Sequence, residues 1–142
     1  MLHRRTAFAL ALAAIAAATP AQACRMFRPL EPAYIRNADI VVVGRISGYR
    51  VDAGRYATFT LTVGEVLRGR PARQLLVRWD NSTFALPAAL PPGPHLVALR
   101  NPGAAFTPRG AFPVLQVACS SPFILPVGSP EAAAARRALG RR

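Results

Sequence analysis

Cys24, Cys119 and His95 are the side chains of this sequence best suited to nucleophilic or metal chemistry, and their spacing decides what they can do. A Cys–His pair would supply a nucleophile and its base, but a thiol near the start of a chain that carries an export signal is more commonly oxidised. Two cysteines and one histidine, far apart in sequence, make a poor metal site. The carboxylates Glu31, Asp39, Asp52, Glu65 and Asp80 are scattered. Asp39 is expected to turn the chain into the first strand rather than to titrate in a cleft. No G-x-S-x-G elbow, H-E-x-x-H helix or phosphate-binding glycine loop occurs. The residues therefore point away from an enzyme, and neither a cofactor nor a metal is expected. Asn81-Ser82-Thr83 has the form of a glycosylation sequon and reads as a polar turn after Trp79.

The stretch TPAQACRMF, residues 19–27, leaves three fates open for Cys24: first residue of a processed chain, lipid attachment point, or half of a disulfide. His3, Arg4 and Arg5 form a basic start, Ala7 to Ala18 is apolar, and small residues follow, which is the secretory signal pattern. That apolar run is too short to span a bilayer. Ala21-Gln22-Ala23 satisfies the A-x-A rule and favours cleavage after Ala23, with cleavage after Ala21 as the alternative. A lipoprotein box would place Leu three residues before the cysteine, where Ala21 stands, so lipidation of Cys24 is the minority reading. Residues 1–23 are thus expected to be a signal peptide and residues 24–142 one exported domain, secreted or periplasmic, monomeric and without a transmembrane segment.

The 142-residue chain carries 18 basic residues against 6 acidic ones, a formal charge of +12. All the basic residues are arginine, and the abundance of Ala, Pro and Gly beside them suggests a GC-rich bacterial source. Attraction to anionic lipid, lipopolysaccharide or nucleic acid is one reading of this charge. Beyond Arg4-Arg5 in the leader, the arginines are spread along the sequence, clustering only at Arg136-Arg137 and Arg141-Arg142, which favours an ordinary solvated surface.

The elements that would position these groups are mainly strands. LEPAYIRN (30–37) reads as one or two helical turns. Asp39 to Val51 opens with a β-branched run, and its Gly44 and Gly48 predict bulges in a coiled strand. Tyr56 to Val63 alternates cleanly, with Ala57, Phe59, Leu61 and Val63 on one face. The phase slips after Gly64, predicting another bulge. Gln74–Trp79 alternates again, and prolines exclude residues 85–94 from a central strand. His95–Arg100 and Phe112–Cys119 complete five strands. Ser129-Pro130-Glu131 then caps a helix that runs to Gly140. The pattern predicts an all-β fold with flanking helices: a five-stranded Greek-key barrel of the OB type plus a C-terminal α-helix. Such barrels often bind nucleic acid by stacking bases on exposed aromatics. Phe59 and Trp79 fall on apolar faces, leaving Tyr49 and Tyr56 as the aromatics open to that role, and export argues against nucleic acid as partner.

The order of these features resembles a known group. A cysteine near the processed start precedes a short helix ending NAD and the strand IVVVGRI. A second strand ends VGEVLRG, a late strand reads HLVAL, and a cysteine is followed by PFILPVGSPEAAAARRAL. Over nearly all of residues 24–142 this is similar to the netrin-like domain of tissue inhibitors of metalloproteinases. The resemblance implies an OB barrel with flanking helices and a disulfide between Cys24 and Cys119, the only two thiols available. The family inhibits proteases by placing the free amine and carbonyl of an N-terminal Cys-x-Cys on the catalytic zinc. Here Gln22 stands where the first cysteine would be, and Arg25 occupies the place of the small residue that enters the specificity pocket. No cysteine between Trp79 and Pro94 supplies the second bridge. The expectation is a non-enzymatic binding module that presents one barrel edge, with Cys24 and Arg25 on it, to a protein partner. A metalloprotease inhibitor and an envelope lipoprotein or polyanion-binding protein are the alternatives.

Overall fold

The computed structural model describes residues 24, 26–54, 56–80, 86–103 and 110–140. A 3-10 helix, Pro32–Asn37, leads into β1 (Ile40–Asp52), β2 (Tyr56–Arg68), β3 (Gln74–Asp80) and β4 (Pro94–Leu99). Two short strands, β5 (Phe112–Pro113) and β6 (Ile124–Pro126), precede helix α1 (Pro130–Gly140). All six strands form one mixed sheet in the order β5-β3-β2-β1-β4-β6, curled into a half-barrel.

Alternation dictates which side of β2 and β3 is wetted. Ala57, Phe59 and Leu61 on β2 and Leu75, Val77 and Trp79 on β3 are buried together inside the curl, with Ile40, Val42, Val97 and Leu99. On the opposite face Val41, Leu96 and Ala98 meet Ile35 of the 3-10 helix, Phe123, and Ala132 and Ala135 of α1. The sheet is thus buried on both faces where β1 and β4 cross its middle, which explains why Ile40, Val41 and Val42 are buried consecutively. Ser129 caps α1 as its sequence predicts, its hydroxyl accepting the Ala132 amide at 3.1 Å.

Two bulges fall at predicted glycines, Gly48 and Gly64; β1 has none at Gly44, and a further shift between Val41 and Val42 leaves Leu67 as an extra residue of β2. Gly48, at φ 63°, lies in the register shift between Ser47 and Arg50, where β1 gains a residue on β2. Gly64 is the extra residue of β2 between the pairs Gly44↔Val63 and Val43↔Glu65. Gly44, opposite that bulge, lies so close that a Cβ added to it would collide with the Thr62 carbonyl.

The structure departs from expectation in the last third. Strand pairing in the predicted Phe112–Cys119 segment is confined to β5, followed by isolated bridges at Val114 and Gln116. Pro113 lacks a donor, and Cys119 adopts a positive φ of 67°, so a continuous ladder cannot form. This segment instead crosses between strands. The Val114 amide donates to Arg78 O of β3, and the Leu115 amide to Ala98 O of β4. A sixth strand, β6, pairs antiparallel with β4.

Gly44→Ala is expected to destabilise the fold by about 1–3 kcal/mol, because backbone carbonyl rather than a movable side chain blocks the new methyl. Gly64→Ala, whose nearest contact would be an ordinary 3.4 Å, should cost clearly less. Urea unfolding of both variants checks the difference, and equal losses would contradict it.

Candidate functional site

The N-terminal segment forms a strap tied down at one point and bare at the next. Cys24 is disulfide-bonded to Cys119, with 5.4 Å between their Cα atoms, and no cysteine among the described residues is free. Arg28 then donates its amide to Cys119 O at 2.7 Å and bridges Ser120 in parallel fashion. Leu30 packs against the helix-side core. Between these anchors Met26 and Phe27 are 80% and 57% exposed. Arg25 lies outside the described residues, as do the signal segment 1–23 and Asn81-Ser82-Thr83.

The turn that receives the strap is itself wired to the core. The Trp79 indole N–H donates to Gln116 Oε1 at 2.8 Å, and Gln116 Nε2 donates to Ser120 O at 2.7 Å. One amide therefore joins a buried β3 side chain to the residue beside Cys119. Next to the strap opens a groove of about 550 Å³, walled by Phe27, Pro29, Trp79, Leu90, Pro122 and Ile124, with Glu131 at its margin. The walls are mainly apolar, with Ser121 and Glu131 as the polar members, which suits an apolar segment of another chain.

With its sulfur bonded to Cys119, Cys24 holds no thiol for a nucleophile or a lipid thioether. His95, the other candidate for chemistry, lies apart from the strap, on β4 opposite Gly44 of β1 and Pro126 of β6. It is 1% exposed and, by the two-residue period, shares the inner face with Val97 and Leu99. Nδ1 stands 3.1 Å from Gly93 O; a carbonyl only accepts, so Nδ1 carries the proton and donates. Nε2 has no partner among the described residues, and neither has the buried Ser120 hydroxyl. Burial depresses the His95 pKa, opposed by the bond to Gly93. The sequence signal for this burial is the alternation His95, Val97, Leu99; the flanking Pro94 hid it.

The remaining candidates are structural. Asp39 Oδ2 accepts the Asn101 amide at 2.7 Å and faces Arg100, holding the entry to β1. Tyr49 and Tyr56 are half-buried: the Tyr49 hydroxyl donates to Pro87 O, and the Arg78 guanidinium covers the Tyr56 ring at 3.9 Å. Neither ring is an open stacking platform. Among the described residues no group of three or more His, Cys, Asp or Glu side chains is arranged to hold a metal ion. No helix described is long and apolar enough to cross a membrane.

Two outcomes follow from this geometry. Reduction, or replacement of both cysteines by serine, should free the strap and cost up to about 4–5 kcal/mol by loop-closure reasoning. The sequence separation of 95 residues makes that loop long. Amide exchange at Arg28 should accelerate with it; an unchanged Arg28 would show that the strap holds without the bridge. For His95 the sign is set by a folded pKa below the unfolded value. Above about pH 6.5 both states are neutral and the group contributes nothing. Below it the unfolded chain binds a proton that the folded chain refuses, so stability falls, by at most about 1.4 kcal/mol per pH unit, until the folded pKa is reached. His95→Leu should flatten that acid slope in urea unfolding; a slope that persists assigns it elsewhere.

No protein-family description matches this chain, and no curated protein is significantly similar to it.

Proposed function

We propose that this chain is an exported, non-enzymatic binding module with a netrin-like, OB-type barrel, and that its disulfide-clamped N-terminal edge meets a protein partner. The carrying observation is the exposure of Met26 and Phe27 between two fixed points. Large apolar side chains held in water by a covalent anchor and a hydrogen-bonded bridge are unfavourable in the isolated chain and gain on contact. The adjoining apolar groove offers a pocket of the kind that surrounds interface anchors. Support for the barrel type comes from the 112–116 segment, which links β3 to β4 across the curl as closure of a small barrel requires. The disulfide is consistent with an oxidising compartment outside the cytosol, and the leader pattern supplies the route.

A second reading, inhibition of a zinc protease through the amine of Cys24, draws on the disulfide at the same edge. A free α-amine with a pKa near 8 would be partly neutral at neutral pH and able to bind a metal. Arg25 and the absence of a second bridge in the sequence weigh against tight inhibition.

The test is affinity capture from a cell-envelope extract with the wild-type chain and with Met26→Asp/Phe27→Asp. A protein retained by the wild type should be lost, by at least about tenfold, from the variant, since an anchor residue contributes about 2 kcal/mol or more. Equal retention removes this edge from the interface. Nanomolar inhibition of a zinc protease, abolished by one added N-terminal alanine, would establish the second reading instead.

A further inference from the structure

We propose that the pole of the molecule where the 3-10 helix, β2 and α1 end docks on an anionic lipid bilayer, with headgroup phosphates as its ligands. This surface is separate from the N-terminal strap and does not depend on the protein-partner reading. Arginines that are dispersed in sequence converge here. Arg68 donates through Nη1 to Arg36 O at 2.7 Å, and Arg36 donates through Nε to Ala138 O at 2.9 Å. Two guanidinium groups are thereby fixed near each other by backbone carbonyls, which orient them without neutralising them.

The carboxylates at this pole are already engaged. Asp39 faces Arg100 at 3.7 Å, and Glu65 takes both Nη atoms of Arg136 at 2.6 and 3.1 Å. Arg70 follows Gly69, where an added Cβ would collide with the Asp39 carbonyl, and Arg137 is exposed on the last turns of α1. Arg36, Arg68, Arg70 and Arg137 thus have no carboxylate partner among the described residues. Helix C-terminal carbonyls attract Arg36, Arg68 and Arg137 and leave Arg70 unaccounted for; they gather the cations without cancelling their charge.

The apolar groups among these arginines decide the partner. The half-buried Leu67 and Leu139 line a shallow depression of about 270 Å³ with Arg136 and Gly140. They are aliphatic, so they offer no face for stacking bases. Aliphatic side chains set among arginines match a bilayer interface, where the cations meet phosphate and the hydrocarbon sinks to the level of the acyl chains. Arginine suits phosphate better than lysine because its planar fork bonds two oxygens at once.

The experiment uses the chain from Cys24 onward, which contains every described element of the fold, and vesicle co-sedimentation. Phosphatidylglycerol-rich vesicles should bind the protein at low salt and release it as salt rises, and phosphatidylcholine vesicles should not bind it. Arg36→Gln/Arg68→Gln/Arg137→Gln should weaken the partition on the order of 100-fold, from three lost charges near the surface. Arg28→Gln/Arg45→Gln/Arg50→Gln, which removes the same charge elsewhere, should change it far less. Leu139→Ser, read separately, should weaken binding that persists at moderate salt. Thermal unfolding of each variant distinguishes a failure to fold from a failure to bind. Equal loss in the two triple variants would reduce the effect to net charge and overturn the proposal. So would equal binding to phosphatidylcholine, or retention by DNA without binding to anionic vesicles.

Discussion

The opening of strand β1 has nowhere to put a wetted face, and the rest of the structure follows from that. Its opening residues Ile40, Val41 and Val42 are all buried. Successive side chains point to opposite sides of a sheet, so two cores are required rather than one. The curled sheet supplies the first, closing Phe59, Leu61, Val77 and Trp79 over Ile40 and Val42. The 3-10 helix, the Phe123 turn and α1 supply the second over Val41. Each buried aliphatic side chain contributes about 1.5–3 kcal/mol. Helix α1 buries mainly alanines, Ala132 and Ala135, which let it approach closely but add little area. Its attachment therefore leans on polar clamps at its far end, Arg136 to Glu65 and Arg36 to the Ala138 carbonyl.

What could be read from the sequence is what local pattern determines. The alternation in Tyr56–Val63 fixed the inner face of β2, Gly48 and Gly64 marked two of the bulges while Gly44 did not mark one, and Ser129 marked the start of α1. β6 was invisible because Ile124–Pro126 is only three residues long and ends in a proline, and only its pairing with β4 makes it a strand. The Phe112–Cys119 segment carried the opposite error: its residues suit a strand, but Pro113 and the backbone turn at Cys119 interrupt the ladder. The strap was legible as a cysteine pairing, through resemblance, whereas the exposure of Met26 and Phe27 was not. Apolar residues beside a cysteine look like core until the fold shows how much of them stays exposed.

The arginines illustrate the same limit from the other side. Read along the chain they are dispersed, and a dispersed charge looks like an ordinary surface. Antiparallel pairing returns the end of β2 to the start of β1, setting Arg68 opposite Val41, and the 3-10 helix and α1 finish beside them. Folding thus sorts the surface into an apolar edge held by a covalent bond and a cationic pole held by carbonyls. Neither arrangement is encoded in any short window, because each depends on chain ends meeting across the sheet.

The position of the disulfide also determines how the molecule would respond to being pulled. All of β1 to β5 lies between Cys24 and Cys119, so tension applied at residue 24 passes directly to residue 119 and bypasses the sheet. The 95-residue span cannot lengthen while the bridge is intact. Only the chain beyond Cys119, comprising β6 and α1, remains in the path of the load. A molecule tethered at its two ends would therefore yield by peeling the helix and its short strand from β4, with β1 to β5 left paired. The bridge makes the larger part of the fold mechanically silent and turns the C-terminal helix into its compliant element.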